Sequence, residues 1–224
     1  MWPQGVLLDF DGVIADTEPS NAAYLAAALR RFGVELTEAE RLALVGVSDK
    51  TTLERLLSRA KTPVSPAALA EERRRCGNTY ADSASLRPQP GLREWLDSLR
   101  ARGVATAVVS STRTQLIVTA LNRMQLLRSF DVVVCGDMVQ TPKPAPDSYR
   151  LALRWLGLEA GQCLAVEDSP TGLQAAKAAG LQVVGYTGGS IRQDTSRADW
   201  TAASFDAIAR LLETLAPNDG RTAK

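Results

Sequence analysis

Histidine is absent from all 224 residues. That gap removes serine and cysteine hydrolases built on an imidazole base, His-rich zinc sites and any imidazole proton shuttle. Proton transfer in this chain must fall to carboxylates or lysine. Cysteine is nearly as scarce: Cys76, Cys135 and Cys163 are odd in number and far apart, and the last two stand inside apolar runs. They read as buried thiols of a reducing compartment, not as a disulfide framework or a metal cluster. Charge of one sign is not in excess either. Lysine plus arginine number 26 against 25 acidic residues, which gives no electrostatic case for nucleic acid or an anionic membrane as a partner. The longest block of like charge, Arg73-Arg74-Arg75, fans around a helix axis and reads first as a solvated face, second as a contact for an acidic substrate. No apolar run approaches a membrane span, and residues 1–5 carry neither the basic region nor the apolar stretch of a signal peptide, so the cytoplasm is the expected compartment.

What the chain does carry begins with Val6-Leu7-Leu8, a short apolar run that ends in two carboxylates, Asp9 and Asp11, followed by Gly12. A strand in a parallel sheet delivers its last side chains at the sheet's carboxyl edge, where open α/β folds keep their ligand crevice. Alternate residues share a face, so Asp9 and Asp11 are expected to point together while Phe10 turns into the core and Gly12 lets the chain leave sharply. On these residues alone, an ordinary strand-to-helix turn with acidic caps remains an equal alternative.

The length suits one large domain, or one domain with a smaller insertion. After the first strand the pattern predicts four helices in succession. The first is capped at Thr17 and ends at Gly33. The second starts at Thr37 with Glu40 completing a capping box, and the third follows a break at Gly46 and a cap at Ser48 and reaches about Ala60. The fourth opens at Ser65-Pro66 and ends between Tyr80 and Asp82. This helical unit is placed at 17–82, inserted into a core made of 1–16 and 83–217, with 218–224 as a flexible tail. From Pro88 onward helices alternate with apolar strands at Val104–Val109, Val132–Cys135, Cys163–Val166 and Leu181–Tyr186. Such repetition predicts an α/β fold with a doubly wound parallel sheet, Rossmann-like in its right-handed crossovers.

The residues standing just after each strand share one edge of that sheet. They are Asp9 and Asp11, then Ser110-Ser111-Thr112, then Lys143 between two prolines, then Glu167-Asp168. Each group has a plain alternative as a helix cap or a surface lysine. Independent capping gives no reason for the whole set to assemble in this order. Carboxylates without histidine or thiolate suit a hard, oxygen-seeking cation such as Mg²⁺, while serine, lysine and backbone N–H groups suit phosphate oxygens.

Asp9-Phe10-Asp11-Gly12-Val13-Ile14-Ala15-Asp16-Thr17, Ser110 after its strand, Lys143-Pro144-Ala145-Pro146 and Glu167-Asp168-Ser169-Pro170-Thr171-Gly172 together resemble the four motifs of the haloacid dehalogenase (HAD)-like hydrolase superfamily. The helical insertion resembles the cap of its β-phosphoglucomutase-like and phosphatase branch. The resemblance covers about Val6 to Ser190. It implies that Asp9 attacks phosphorus to give an aspartyl-phosphate, and that Asp11 protonates the leaving oxygen and then activates water. It also implies that Asp9, Asp11 through its backbone carbonyl, and Asp168 hold Mg²⁺ with Glu167 assisting, that Ser110 and Ser111 hold the phosphoryl group, and that Lys143 offsets its charge. The sugar phosphomutases of this branch carry a histidine, an arginine and a lysine in the cap where this sequence has Asn21, Asp49 and Cys76. That departure favours water as acceptor. The implied activity is hydrolysis of a small phosphorylated metabolite by a monomer, with phosphosugar isomerisation and non-catalytic phosphometabolite binding as alternatives. Glu18, Asn21, Lys50 and Arg75 are the cap residues expected to meet the substrate.

Overall fold

The first apolar run forms the strand β1 (Gly5–Leu8), with every residue buried. A computed structural model describes residues 2–43, 50–82, 84 and 86–215. The chain forms two compact units, Met1–Ala15 with Arg87–Lys224 and Asp16–Leu86. The first unit holds a parallel sheet of β1 with β2 (Ala105–Val109), β3 (Val132–Val134), β4 (Cys163–Glu167), β5 (Gln182–Tyr186) and β6 (Trp200–Ala202), in the order β3-β2-β1-β4-β5-β6. The chain starts in the middle of the sheet and winds outward in both directions. The strand order therefore reverses at β1 and β4, whose carboxyl ends border the crevice that such a reversal opens.

The second unit is helical, with α1 (Glu18–Arg31), α2 (Glu38–Ala43), α3 (Lys50–Leu57), α4 (Pro66–Cys76) and α5 (Thr79–Asp82). Its own apolar core joins Ala28, Leu29, Val34, Leu56, Leu57 and Leu69. The capping box at α2 forms as its spacing predicts: the Thr37 amide donates to Glu40 Oε2 at 2.9 Å, and the Glu40 amide donates to Thr37 Oγ1 at 3.2 Å. Thr17 does not cap α1. Its backbone is already helical (φ −92°, ψ −18°) and its side chain makes no cap hydrogen bond, because a capping hydroxyl needs an extended backbone at that position. The fourth helix also ends earlier than expected. Gly77 (φ +141°) breaks it before α5, and a Cβ there would come within 2.3 Å of the Tyr24 ring. The break at Gly46, the cap at Ser48, Asp49, the boundary at Ser83 and the tail 218–224 lie outside the described residues, as does the side chain of Lys50.

Five further helices belong to the first unit: α6 (Leu92–Ala101), α7 (Thr114–Arg123), α8 (Asp147–Leu156), α9 (Pro170–Ala178) and α10 (Phe205–Leu215). Strand alternation sorts the core. Leu7, Ala107, Val109, Val134, Cys163, Ala165 and Val183 pack with Tyr149, Ala152 and Leu153 of α8 and with Leu173, Ala175 and Ala176 of α9. The same alternation continues one step beyond β1 and to the last residue of β4. It assigns Asp9 and Glu167 to the face of the sheet that α8 covers. Elsewhere in this unit Trp95 of α6, Phe205 of α10 and Tyr186 of β5 stack at 5.1 and 5.2 Å between ring centroids. The element pair β6 and α10 has no counterpart among the strands and helices read from sequence. Cys135 and Cys163 are buried, and burial pushes both thiols up to about 11. No helix among the described residues is long and apolar enough to cross a membrane.

Candidate active site

Adjacent parallel strands bring Asp9 and Glu167 side by side. Leu8 pairs with Val166, and the Asp9 amide donates to the Val166 carbonyl at 3.0 Å, so the next residues on the two strands are neighbours. Asp168 follows at once. The carboxylates of Asp9, Glu167 and Asp168 are all buried and offer oxygens within 4.8 Å of one another. Three acids so close repel strongly unless positive charge stands among them.

Lys143 supplies part of that charge. Its ammonium donates to Asp9 Oδ1 at 2.7 Å, to Glu167 Oε1 at 2.6 Å and to the Val109 carbonyl at 2.8 Å, which matches the three protons an ammonium has. Burial alone would lower the lysine's affinity for its proton, but Asp9 and Glu167 more than reverse this and hold it above the ordinary lysine value. Glu167 is fully buried. Desolvation pushes its carboxyl up to about 7 against the pull of the Lys143 ammonium, with the negative charge of Asp9 adding to the rise.

Tyr149, on the buried face of α8, reaches the same group. Its hydroxyl donates to Glu167 Oε1 at 2.5 Å, and its ring centroid lies 5.0 Å from Lys143 Nζ. Burial first, and then the Glu167 charge, keep that phenol well above its usual range, so it stays a donor. A tyrosine at this point of the helix reads from sequence as core. Its role shows only when the hydroxyl, which must find a partner once buried, is seen to end on Glu167.

Asp11, directly before the turn at Gly12 (φ +85°), is only half-buried. The Thr112 hydroxyl donates to Asp11 Oδ2 at 3.0 Å, tying the loop after β1 to the loop after β2. Ser110 is buried at the end of β2, and its Oγ accepts from the Thr112 amide at 3.0 Å. Ser111 is exposed. Thr112 and Gln193, whose Nε2 donates to Asp168 Oδ2 at 3.2 Å, are contacts of the site that sequence reasoning did not single out for binding.

Two glycines set the room available to the acids. A Cβ on Gly12 (φ +85°) would lie 2.0 Å from Asp168 Oδ2, and one on Gly172 would lie 2.0 Å from Glu167 Oε2. Replacing Gly172 with alanine is expected to displace a buried, fully engaged carboxylate and to destabilise the protein by about 1–3 kcal/mol. Chemical denaturation is the check, and an unchanged midpoint would contradict this close packing of Gly172 on Glu167.

The cap candidates lie in the helical unit. Glu18 is the first residue of α1. Asn21 is engaged internally, with its Oδ1 accepting from Arg73 at 3.0 Å and from the Thr79 hydroxyl at 3.0 Å, so it joins α1, α4 and α5. Arg75 is exposed and pairs with Glu71 at 3.5 Å and Glu72 at 3.6 Å, both on its own helix. Arg74 pairs with Glu71 as well. Exposed pairs of this kind contribute little to stability.

The buried acids give a set of hard oxygen donors and no softer ligand, which fits a hard divalent cation. The buried Ser110 hydroxyl follows Val109, whose carbonyl accepts from Lys143, and a hydroxyl of this kind suits a phosphate oxygen. Residues 6–186 match the family model described as haloacid dehalogenase-like hydrolase. A phosphorylated carbohydrates phosphatase of Thermotoga maritima is 31% identical over 183 residues, covering 80% of this chain and 82% of its own length. Protein CbbY of Rhodobacter capsulatus is 31% identical over 220 residues, covering 92% and 95%. The crystal structure of a CbbY variant from Rhodobacter sphaeroides in complex with xylulose-(1,5)bisphosphate superposes with a TM-score of 0.71 at 27% identity, over 91% of this chain and 95% of that one. The chain therefore belongs to the haloacid dehalogenase-like hydrolases, within their phosphatase branch.

Proposed function

We propose that this protein hydrolyses a small phosphorylated metabolite, a sugar phosphate or a close chemical relative, with Mg²⁺ as cofactor and an aspartyl-phosphate on Asp9 as intermediate. The observation that carries this reading is the buried ion-pair cluster at the sheet edge, where Lys143 holds Asp9 Oδ1 at 2.7 Å beside Glu167 and Asp168. The names of the relatives support the substrate class.

In the first half-reaction a carboxylate oxygen of Asp9 forms a bond to phosphorus while the bond from phosphorus to the leaving oxygen breaks. Asp11, steadied by Thr112, gives its proton to that oxygen. In the second half Asp11 takes a proton from water as the water oxygen attacks phosphorus, and Asp9 leaves as a carboxylate with release of inorganic phosphate. Lys143, donating to Asp9 Oδ1, holds that carboxylate in place for attack. Ser110 and Ser111 give hydrogen bonds to the phosphoryl oxygens. Asp9, Asp168, Glu167 and the Asp11 carbonyl would hold Mg²⁺, which when bound offsets the negative charge of the phosphoryl oxygens.

The test is a panel of phosphorylated metabolites and a generic aryl phosphate, with release of free phosphate measured in Mg²⁺ and again in EDTA. Phosphate release that EDTA abolishes and Mg²⁺ restores is the expected result. Activity that survives EDTA overturns the cation requirement. Interconversion of a hexose phosphate without phosphate release would identify a mutase, and silence across the panel would mean a protein that binds phosphometabolites without turning them over.

A further inference from the structure

We propose that Gln193 is a positioning residue of the cation site, fixing the Asp168 carboxylate from the loop that follows β5. The inference rests on the reading that Asp9, Glu167 and Asp168 hold a divalent cation. Asp168 Oδ2 is confined from two sides. On one side it is packed so closely on Gly12 that a Cβ there would overlap it, and on the other it accepts from Gln193 Nε2 at 3.2 Å. A hydrogen bond to one carboxylate oxygen fixes the plane of the group and with it the direction of the other oxygen. Partners of this kind orient ligands in metal sites generally.

The loop that carries Gln193 is built to hold it still. At its start the Thr187 amide donates to the Ala202 carbonyl at 2.8 Å, and Gly189 passes so near the loop after β1 that a Cβ there would lie 3.3 Å from the Gly12 carbonyl oxygen. Directly after Gln193, Asp194 Oδ1 accepts from the Ser196 amide at 2.9 Å and turns the chain. Thr195 and Ala198 then lie flat on β5, where Gly185 has no side chain; a Cβ there would stand 2.7 and 3.0 Å from theirs. Asp199 closes the loop, accepting from the Val183 amide at 2.7 Å and donating through its own amide to the Val183 carbonyl at 2.9 Å.

The type of donor matters as much as its place. A lysine or arginine here would orient Asp168 equally well but would set a fixed positive charge against the incoming cation. The neutral amide of Gln193 directs the carboxylate and leaves its full negative charge to the metal.

The experiment is titration of the full-length protein with Mn²⁺, read by the electron paramagnetic resonance signal of free and bound Mn²⁺. Gln193→Met keeps the side-chain length and removes the donor, and Gln193→Ala removes both. Each is expected to weaken Mn²⁺ binding by about 10- to 100-fold, with the metal-free thermal midpoint unchanged. A purely structural role would move that midpoint and leave the affinity alone. Affinities equal to that of the unaltered protein overturn the role of Gln193 and leave the cation site standing. If the unaltered protein itself binds no Mn²⁺, both the inference and the reading beneath it fall.

Discussion

Asn in place of Asp9 is expected to lower turnover by a factor on the order of 10⁴ or more, since the proposed covalent route then loses its nucleophile and with it nearly its whole advantage. The fold should survive the change. Asparagine has the same shape, Lys143 keeps two of its three acceptors in Glu167 and the Val109 carbonyl, and one of three crowded carboxylates loses its charge. The thermal midpoint should therefore stay within a few degrees of that of the unaltered protein while phosphate release from an aryl phosphate disappears. Undiminished release from folded Asp9→Asn protein would remove Asp9 from the mechanism.

Lys143→Met is expected to act on stability as strongly as on catalysis. Its ammonium is the charge that stands between Asp9 and Glu167, and its side chain is almost wholly buried. Removing one partner of a buried ion pair costs about 3–5 kcal/mol, because the charge left behind has neither water nor counter-ion. For a chain of this size that is a fall in midpoint of roughly 6–20 °C.

The loss should depend on pH in a defined direction. Burial already pushes the Glu167 carboxyl up to about 7 from an ordinary 4.5, so the folded protein binds this proton more tightly than the unfolded chain does. Stability is accordingly lost as pH rises from the unfolded value through the folded one. Without the ammonium the folded value climbs further. The deficit of Lys143→Met relative to the unaltered protein should then be smallest near about pH 5 and widen toward about pH 8, followed by denaturant unfolding across that range. A deficit that narrows with rising pH would mean that Lys143 is not the counter-charge of Glu167.

Much of this site was legible because its residues stand at strand ends. Apolar runs followed by polar residues indicate where a parallel sheet keeps its chemistry, which points to Asp9, Ser110 and Asp168, while Lys143, in the loop after β3, was legible through the resemblance to the family's motifs. Other parts carried no local signal. Tyr149 belongs to the apolar stripe of α8 and differs from a core phenylalanine by one oxygen. Gln193 sits in a polar loop whose shape depends on Gly185, a residue of the neighbouring strand. The three residues of β6 are too few to show a period. At the end of α4 the arginine run hides a break that Gly77 makes because the Tyr24 ring leaves no space for a side chain. Thr17 fails as a cap because its backbone is already helical. Local pattern thus located the elements and the acids, while contacts between distant segments decided which groups support them.

The central place of β1 in the sheet bears on how the protein is made. Its partners are β2, which begins about a hundred residues later, and β4, which ends near Glu167. Asp9 and its lysine are 134 residues apart in the chain. At ribosomal rates of about 5–20 residues per second, β1 waits roughly 10–30 s for the second of its neighbours to be synthesised. During that interval a strand whose four residues are all buried in the finished protein lacks one of the two strands that flank it. Ribosome-bound chains that stop short of β4 lack Glu167 and Asp168 and therefore have no assembled site, so phosphatase activity in a translation mixture is expected only from chains that extend beyond β4.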